Sequence, residues 1–191
     1  MKTPIVLIGP MATGKTTLAR LLAQKLGIVH YKLDDMRWAY YNEAGYDQEV
    51  AEKIRVEEGF SSLNRYWKRF EIHAVERVLS DCPGGVISFG AGHSVYEDES
   101  LFVRAQRALA PYENVILILP CPNLEEAGKI CKQRYIEQDQ QDGIETPQEE
   151  LAMIEQFVKH PSNQLLAKRV IYTNGNSPEQ TCEEIIQFLG V

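Results

Sequence analysis

Gly9-Pro10-Met11-Ala12-Thr13-Gly14-Lys15-Thr16 satisfies every position of the GxxxxGK[ST] phosphate loop. The pattern has chemical meaning only when a strand delivers it and a helix begins at its end. Here it lies between the apolar run Ile5–Ile8 and a helical pattern from Thr16 to Leu26. In that setting the backbone amides of the loop converge on a phosphate, and the helix macrodipole favours its negative charge. The loop therefore predicts a nucleotide site built from Gly9, Met11, Ala12, Thr13, Gly14, Lys15, Thr16 and Thr17. Lys15 is expected to reach the β- and γ-phosphates of ATP, and the Thr16 hydroxyl to ligate Mg²⁺.

Phosphoryl transfer needs positive charge at the moving group, a metal and, for a hydroxyl acceptor, a positioned carboxylate. Asp34 and Asp35 follow the second apolar run and are candidates to orient the hydroxyl, take its proton or hold Mg²⁺ together with Thr16. Asp35 has a competing role as the N-cap of a helix starting near Met36. Gly90-Ala91-Gly92 follows a third apolar run, and glycines there leave room for a ligand to approach the backbone. His93 comes next, either bonding a substrate hydroxyl or simply exposed in its loop; His30 and His73 show no partner. Trp38, Tyr41, Trp67 and Phe70 fit either a pocket wall or a core stripe.

The elements that must carry these groups alternate between strand-like and helix-like patterns. Strands are expected at Ile5–Ile8, Ile28–Tyr31, Gly85–Phe89, Asn114–Leu119 and Arg169–Thr173. Helices are expected from Thr16 to Leu26, closed by Gly27, and from Pro178 to Leu189, capped by Ser177. A long helical stretch from about Asp47 to Ser80 holds most of the aromatics, and another helix runs from about Pro147 to Lys159. The acidic, glutamine-rich segment Glu137–Gly143 has no apolar period and reads as a mobile loop. Strands separated by helices imply a parallel sheet with helices on both faces, whose ligands bind beyond the carboxyl ends of the strands. The expected fold is therefore α/β: a three-layer domain with a phosphate loop, spanning residues 1–191. A helical substrate-binding insert at about 36–80 and a lid-like loop at about 134–147 complete it.

A chain of 191 residues with 44% hydrophobic content can bury a core without disulfides or structural metal. Its formal charge of −7 argues against a nucleic-acid surface. Cys82, Cys121, Cys131 and Cys182 lack CxxC spacing and are expected to be reduced thiols. No apolar run approaches a membrane span and the N-terminus lacks a signal peptide, so a cytoplasmic protein is expected, a monomer or homodimer with no membrane partner.

Four segments together resemble the shikimate kinase family. Leu7 through Ala23 is similar to its phosphate loop and first helix, and Tyr31-Lys32-Leu33-Asp34 to its Asp-x-Asp after the second strand. Ile87 through Val95 is similar to its strand followed by three glycines, and Lys159 through Thr173 to its Arg-x-Pro-Leu-Tyr segment and final strand. The resemblance implies a P-loop, nucleoside-monophosphate-kinase-like fold, and a kinase phosphorylating a hydroxyl of a small molecule with ATP and Mg²⁺. It implies Lys15, Asp34 and Arg134 as catalytic groups, Arg134 standing for the family's lid arginine on the helix that also carries Lys129 and Lys132. It implies Asn174 beside the adenine, and Asp34, Lys68, Arg69, Gly90, Ala91, Gly92 and Lys159 around the acceptor. Lys32 replaces the family's first aspartate, and lysines 68 and 159 replace its carboxylate-binding arginines, losing the bidentate fork. Shikimate, an antibiotic, a nucleoside or another polyol all stay open as acceptor. A regulatory ATPase or a degenerate kinase is the rival reading; Lys32 favours the latter, while the absence of an acid after Val115–Leu119 argues against the ATPase.

Overall fold

The computed structural model describes residues 3–190. Its centre is the apolar strand β1 (Ile5–Ile8), every residue of which is buried. β2 (His30–Lys32), β3 (Val86–Ser88), β4 (Val115–Leu119) and β5 (Arg169–Tyr172) join it in one parallel sheet of order β2-β3-β1-β4-β5. Alternation along β1 sends Val6 and Ile8 to one face and Ile5 and Leu7 to the other, each into its own core. Helices α1 (Lys15–Leu26) and α9 (Pro178–Leu189) cover the Ile5/Leu7 face through residues such as Leu18, Leu22 and Ile185. The other face is covered by α2 (Leu33–Glu43), α4 (Phe60–Asp81), α5 (Glu99–Leu109) and α8 (Pro161–Leu166). These are the three layers the alternating pattern predicts.

Local chemistry sets the element ends. Gly27 adopts the left-handed conformation at the close of α1, and the Ile28 amide turns back onto Ala23 O at 3.0 Å. That bond uses the amide of Ile28, so the second strand starts at His30, two residues later than its apolar pattern suggests. Ser177 and Gln180 form a capping box on α9, with Pro178 in its first turn. The long aromatic stretch is two helices, α3 (Gln48–Glu58) and α4, broken at Gly59, whose φ of 83° and ψ of 179° favour glycine.

Two local expectations are corrected. Glu137–Gln141 is not loop, because α6 (Leu124–Gln141) continues through it before α7 (Gln148–Lys159) begins. Gln133 bonds Glu137 one turn on, and Tyr135 donates to Glu150 of α7 at 2.6 Å, so polar pairs substitute for an apolar stripe. Only residues 142–147 separate the two helices, and Thr146 donates to Asp139 Oδ2 at 2.7 Å. Asp35 is not an N-cap: α2 starts at Leu33, and both aspartates sit inside its first turn. Among the described residues the four cysteines are free, and no helix is long and apolar enough to cross a membrane.

Candidate active site

The strand order decides what meets what. β2, β3 and β1 are neighbours, so Asp34, the Gly90–Gly92 turn and the phosphate loop lie side by side along one sheet edge. On the other side of β1 the ends of β4 and β5 are knitted together, Thr173 N to Leu119 O at 2.9 Å and Asn174 N to Pro120 O at 2.8 Å. The loop after the central strand is thus flanked by two distinct half-sites.

Gly9 begins the loop with φ 135°, and a Cβ there would lie 2.6 Å from Ile118 O on β4. Ala12 (φ 56°) and Gly14 (φ 91°) take left-handed conformations that turn successive amides inward, the geometry of an anion nest. Thr13 closes the turn by donating to Pro10 O at 3.1 Å. Lys15 is buried and donates to the same carbonyl at 2.5 Å. Burial lowers its pKa to about 8 from 10.5, against the opposing pull of the Asp34 carboxylate. An ammonium resting on a carbonyl inside a ring of amide donors fits a polyphosphate.

On the β4–β5 side a cavity of about 200 Å³ is lined by Thr13, Gly14, Thr17, Arg134, Thr173 and Asn176. Arg134 donates to Thr173 Oγ1 at 3.3 Å, which sets its guanidinium next to the loop. Asn176, not Asn174, faces this cavity; Asn174 is committed through its backbone to Pro120. Lys132 turns to Glu155 and Lys129 is exposed, as the helical rotation between these positions requires.

Thr16 lines a separate open cavity with Arg20, His30, Lys32 and Asp35. Lys32 pairs with Asp35 at 2.8 Å, so the lysine partly neutralises a carboxylate beside the threonine. No cluster of three or more His, Cys, Asp or Glu among the described residues forms a metal cage. The hydroxyl fits a Mg²⁺ ion that takes most of its oxygens from phosphate and water. His30 does have a partner, Ser88 Oγ at 2.8 Å, and His73 meets Glu43 at 3.3 Å.

On the β2–β3 side a cavity of about 340 Å³ brings together Met11 of the loop, Asp34, Arg37, Trp67, Glu71, Ala91 and Gly92. The glycines are sterically dictated: a Cβ on Gly90 would overlap Asp34 Oδ1, and one on Gly92 would overlap Glu71 Oε1. His93 is not exposed in a loop. It is buried, and neither ring nitrogen has a partner. Burial lowers its pKa, ahead of the opposing charges of Glu71 and Asp34. Tyr41 and Phe70 are core, Trp67 is cavity wall and Trp38 lies outside, 42% exposed.

The expected cation grips separate. Lys68 is beside the cavity but engaged, 2.7 Å from Glu71 and 3.1 Å from Gly92 O. Arg69 points away, its guanidinium stacked on Tyr66 and Phe70 at 4.9 and 4.5 Å. Lys159 is also outside, bridging Glu125 and Glu155 at 2.7 and 2.8 Å. Arg37 and Glu71 were not singled out by the motifs. Arg37 stands one helical turn after Asp34, a spacing that puts both on one face.

The sequence profile of the shikimate kinase family, described as "Shikimate kinase", matches residues 11–190. The chain belongs to the shikimate kinase family. A shikimate kinase of Marinomonas sp. (strain MWYL1) is 29% identical over 113 residues, 59% of this chain. The match spans 57% of that relative's length. Shikimate kinase from Acinetobacter baumannii in complex with shikimate superposes with TM-score 0.65 at 20% identity, covering 98% of this chain and 92% of that one. Shikimate kinase from Aquifex aeolicus gives 0.59 at 20% identity over 98% and 96%. At such identities the structures speak for the family's fold.

Proposed function

We propose that the protein is an ATP-dependent kinase that phosphorylates a hydroxyl group of a small metabolite. The observation that carries this reading is the position of Asp34. Its carboxylate borders the cavity that Met11 of the phosphate loop also lines, and its charge is felt by Lys15. A hydroxyl held in that cavity lies between a proton acceptor and the end of a bound triphosphate.

In this reading the loop amides and Lys15 hold the β- and γ-phosphates of ATP, and Arg134 approaches them from the β4–β5 side. Thr16 contributes a ligand to Mg²⁺, which supplies charge neutralisation at the phosphates when bound. Asp34 orients the acceptor hydroxyl and takes its proton as the new oxygen–phosphorus bond forms and the bond from the γ-phosphorus to the β–γ bridging oxygen breaks, with ADP as the leaving group. Gly90 and Gly92 leave Asp34 and Glu71 room to face the acceptor. Shikimate is one candidate acceptor on family grounds. The engaged Lys68 and the distant Lys159 leave other hydroxyl compounds eligible. A protein acting in the cytoplasm without nucleic-acid partners fits this reading and the charge of −7.

The test is ADP release from Mg-ATP with a panel of hydroxyl acceptors. Turnover that depends on one acceptor, and is lost in Lys15→Met with the fold intact, is the expected result. ATP binding without transfer to any acceptor would favour a degenerate, regulatory binder instead.

A further inference from the structure

We propose that Arg37 is the specificity-determining residue of the acceptor site, and that it selects hydroxyl compounds carrying an anionic group such as a carboxylate. This role rests on the cavity being the acceptor site proposed above.

The charges around the cavity are Asp34, Arg37, Glu71 and Glu150. Two of them already have close partners: Glu71 holds Lys68 at 2.7 Å, and Glu150 accepts from Tyr135 at 2.6 Å. The pair left over is Asp34 and Arg37, whose closest approach is 3.7 Å, too long for a hydrogen bond. Every other lysine or arginine ion pair among the described residues is 3.0 Å or shorter. Among the described residues Arg37 is therefore the one cation lining this cavity, and its pairing with Asp34 is the loosest of the lysine and arginine ion pairs.

Its setting prepares it for an oxyanion. The guanidinium lies 4.5 Å from the Trp38 ring centre and 5.9 Å from that of Trp67, so aromatic faces fix its plane. Nε is shielded from solvent and has no hydrogen-bond partner. Arginine can only donate, so an under-solvated guanidinium gains most from an acceptor-rich, negatively charged group on its remaining edge. A second donor-only group on the cavity wall, Trp67 Nε1, is also shielded and unpartnered. Asp34 offers the opposite chemistry one helical turn away, suited to an O–H. An acceptor with both a hydroxyl and an anionic group matches the two.

The experiment measures calorimetric binding with Mg-ADP present, using two pairs of probes: shikimate with its methyl ester, and gluconate with sorbitol. The wild type is expected to bind at least one acid about tenfold more tightly than its uncharged partner. Arg37→Met is expected to lower that affinity roughly ten- to hundredfold while leaving Mg-ADP affinity unchanged. Arg37→Lys keeps the charge and much of the packing but loses the fork, and should fall between; it also serves if the methionine variant fails to fold. Acids that bind no better than their partners, or bind the Arg37 variants as tightly as wild type, overturn the proposal. So does an anion preference that Lys68→Met alone removes. ADP release distinguishes the two levels. Arg37-dependent binding of an acid without turnover of any probe defeats the kinase reading and keeps the grip. Turnover of sorbitol or the ester as fast as the acids, indifferent to Arg37, does the reverse.

Discussion

At the scale of single residues, Asp34 and Lys15 make opposite demands on pH and charge. Asp34→Asn keeps the size and the ability to orient a hydroxyl but cannot take its proton. Turnover is expected to fall about 10²-fold or more, with ATP affinity retained, in steady-state kinetics paired with calorimetry. A change confined to acceptor KM would make Asp34 a binding group only. Lys15 is buried with its pKa lowered to about 8 from 10.5. Below about pH 8 the free protein carries the full penalty of a charged buried lysine. Between about 8 and 10.5 the folded lysine is neutral while the unfolded one is still charged, so stability rises with pH through that window, by about 3 kcal/mol at most. Phosphates restore the charge, so ATP binding above about pH 8 must take up a proton, and its affinity must fall as pH rises further. Calorimetry at pH 8.5 in buffers of different ionisation enthalpy (a value chosen just above about 8) measures that proton. Lys15→Met should abolish it.

At the scale of elements, the turn after β3 offers a clean probe. Gly90 has φ −66°, which any residue adopts, so an added methyl is opposed by Asp34 and His93 and not by the backbone. Gly90→Ala should leave nucleotide affinity intact while displacing Asp34, lowering kcat on the order of tenfold or more. A variant with wild-type kcat would mean that Asp34 is not held against this turn. The same elements explain what the sequence made legible. Ile5–Ile8 and Val115–Leu119 are buried on both faces, and such strands announce themselves as unbroken apolar runs. Gly27, Ser177 and Pro178 act within a few residues of themselves, so their roles were readable. The helical continuation of α6 was not, because part of its support comes from Glu150 on another helix. His93 and Lys159 fail for a related reason: the burial of the first is set by residues distant in sequence, and the second is held by Glu125 on α6 as well as by Glu155 on its own helix. Arg37 was hidden by its ordinariness, one more cation in a polar helix until α4 brings Trp67 to its side.

At the scale of the whole molecule, the order β2-β3-β1-β4-β5 splits the ligand edge about β1, with Asp34 and Arg37 on one side and Arg134 and Thr173 on the other. The phosphate loop belongs to both halves, since Met11 lines one cavity and Gly14 the other. A ligand filling the loop therefore braces β1 against both flanks and should raise global stability, not merely order a loop. Binding to the folded state alone stabilises by about 2.7 kcal/mol at a hundred times Kd. For a domain of this size that raises Tm by roughly 5–10 °C. Mg-ATP at such excess should produce that shift in a thermal melt, and Lys15→Met should cancel it. Asp34→Asn and Arg37→Met should keep it, because neither side chain is part of the phosphate loop itself. If Arg37→Met also lost the nucleotide shift, the two halves would not be separable, and Arg37 would have to be reassigned to the transferring phosphoryl group.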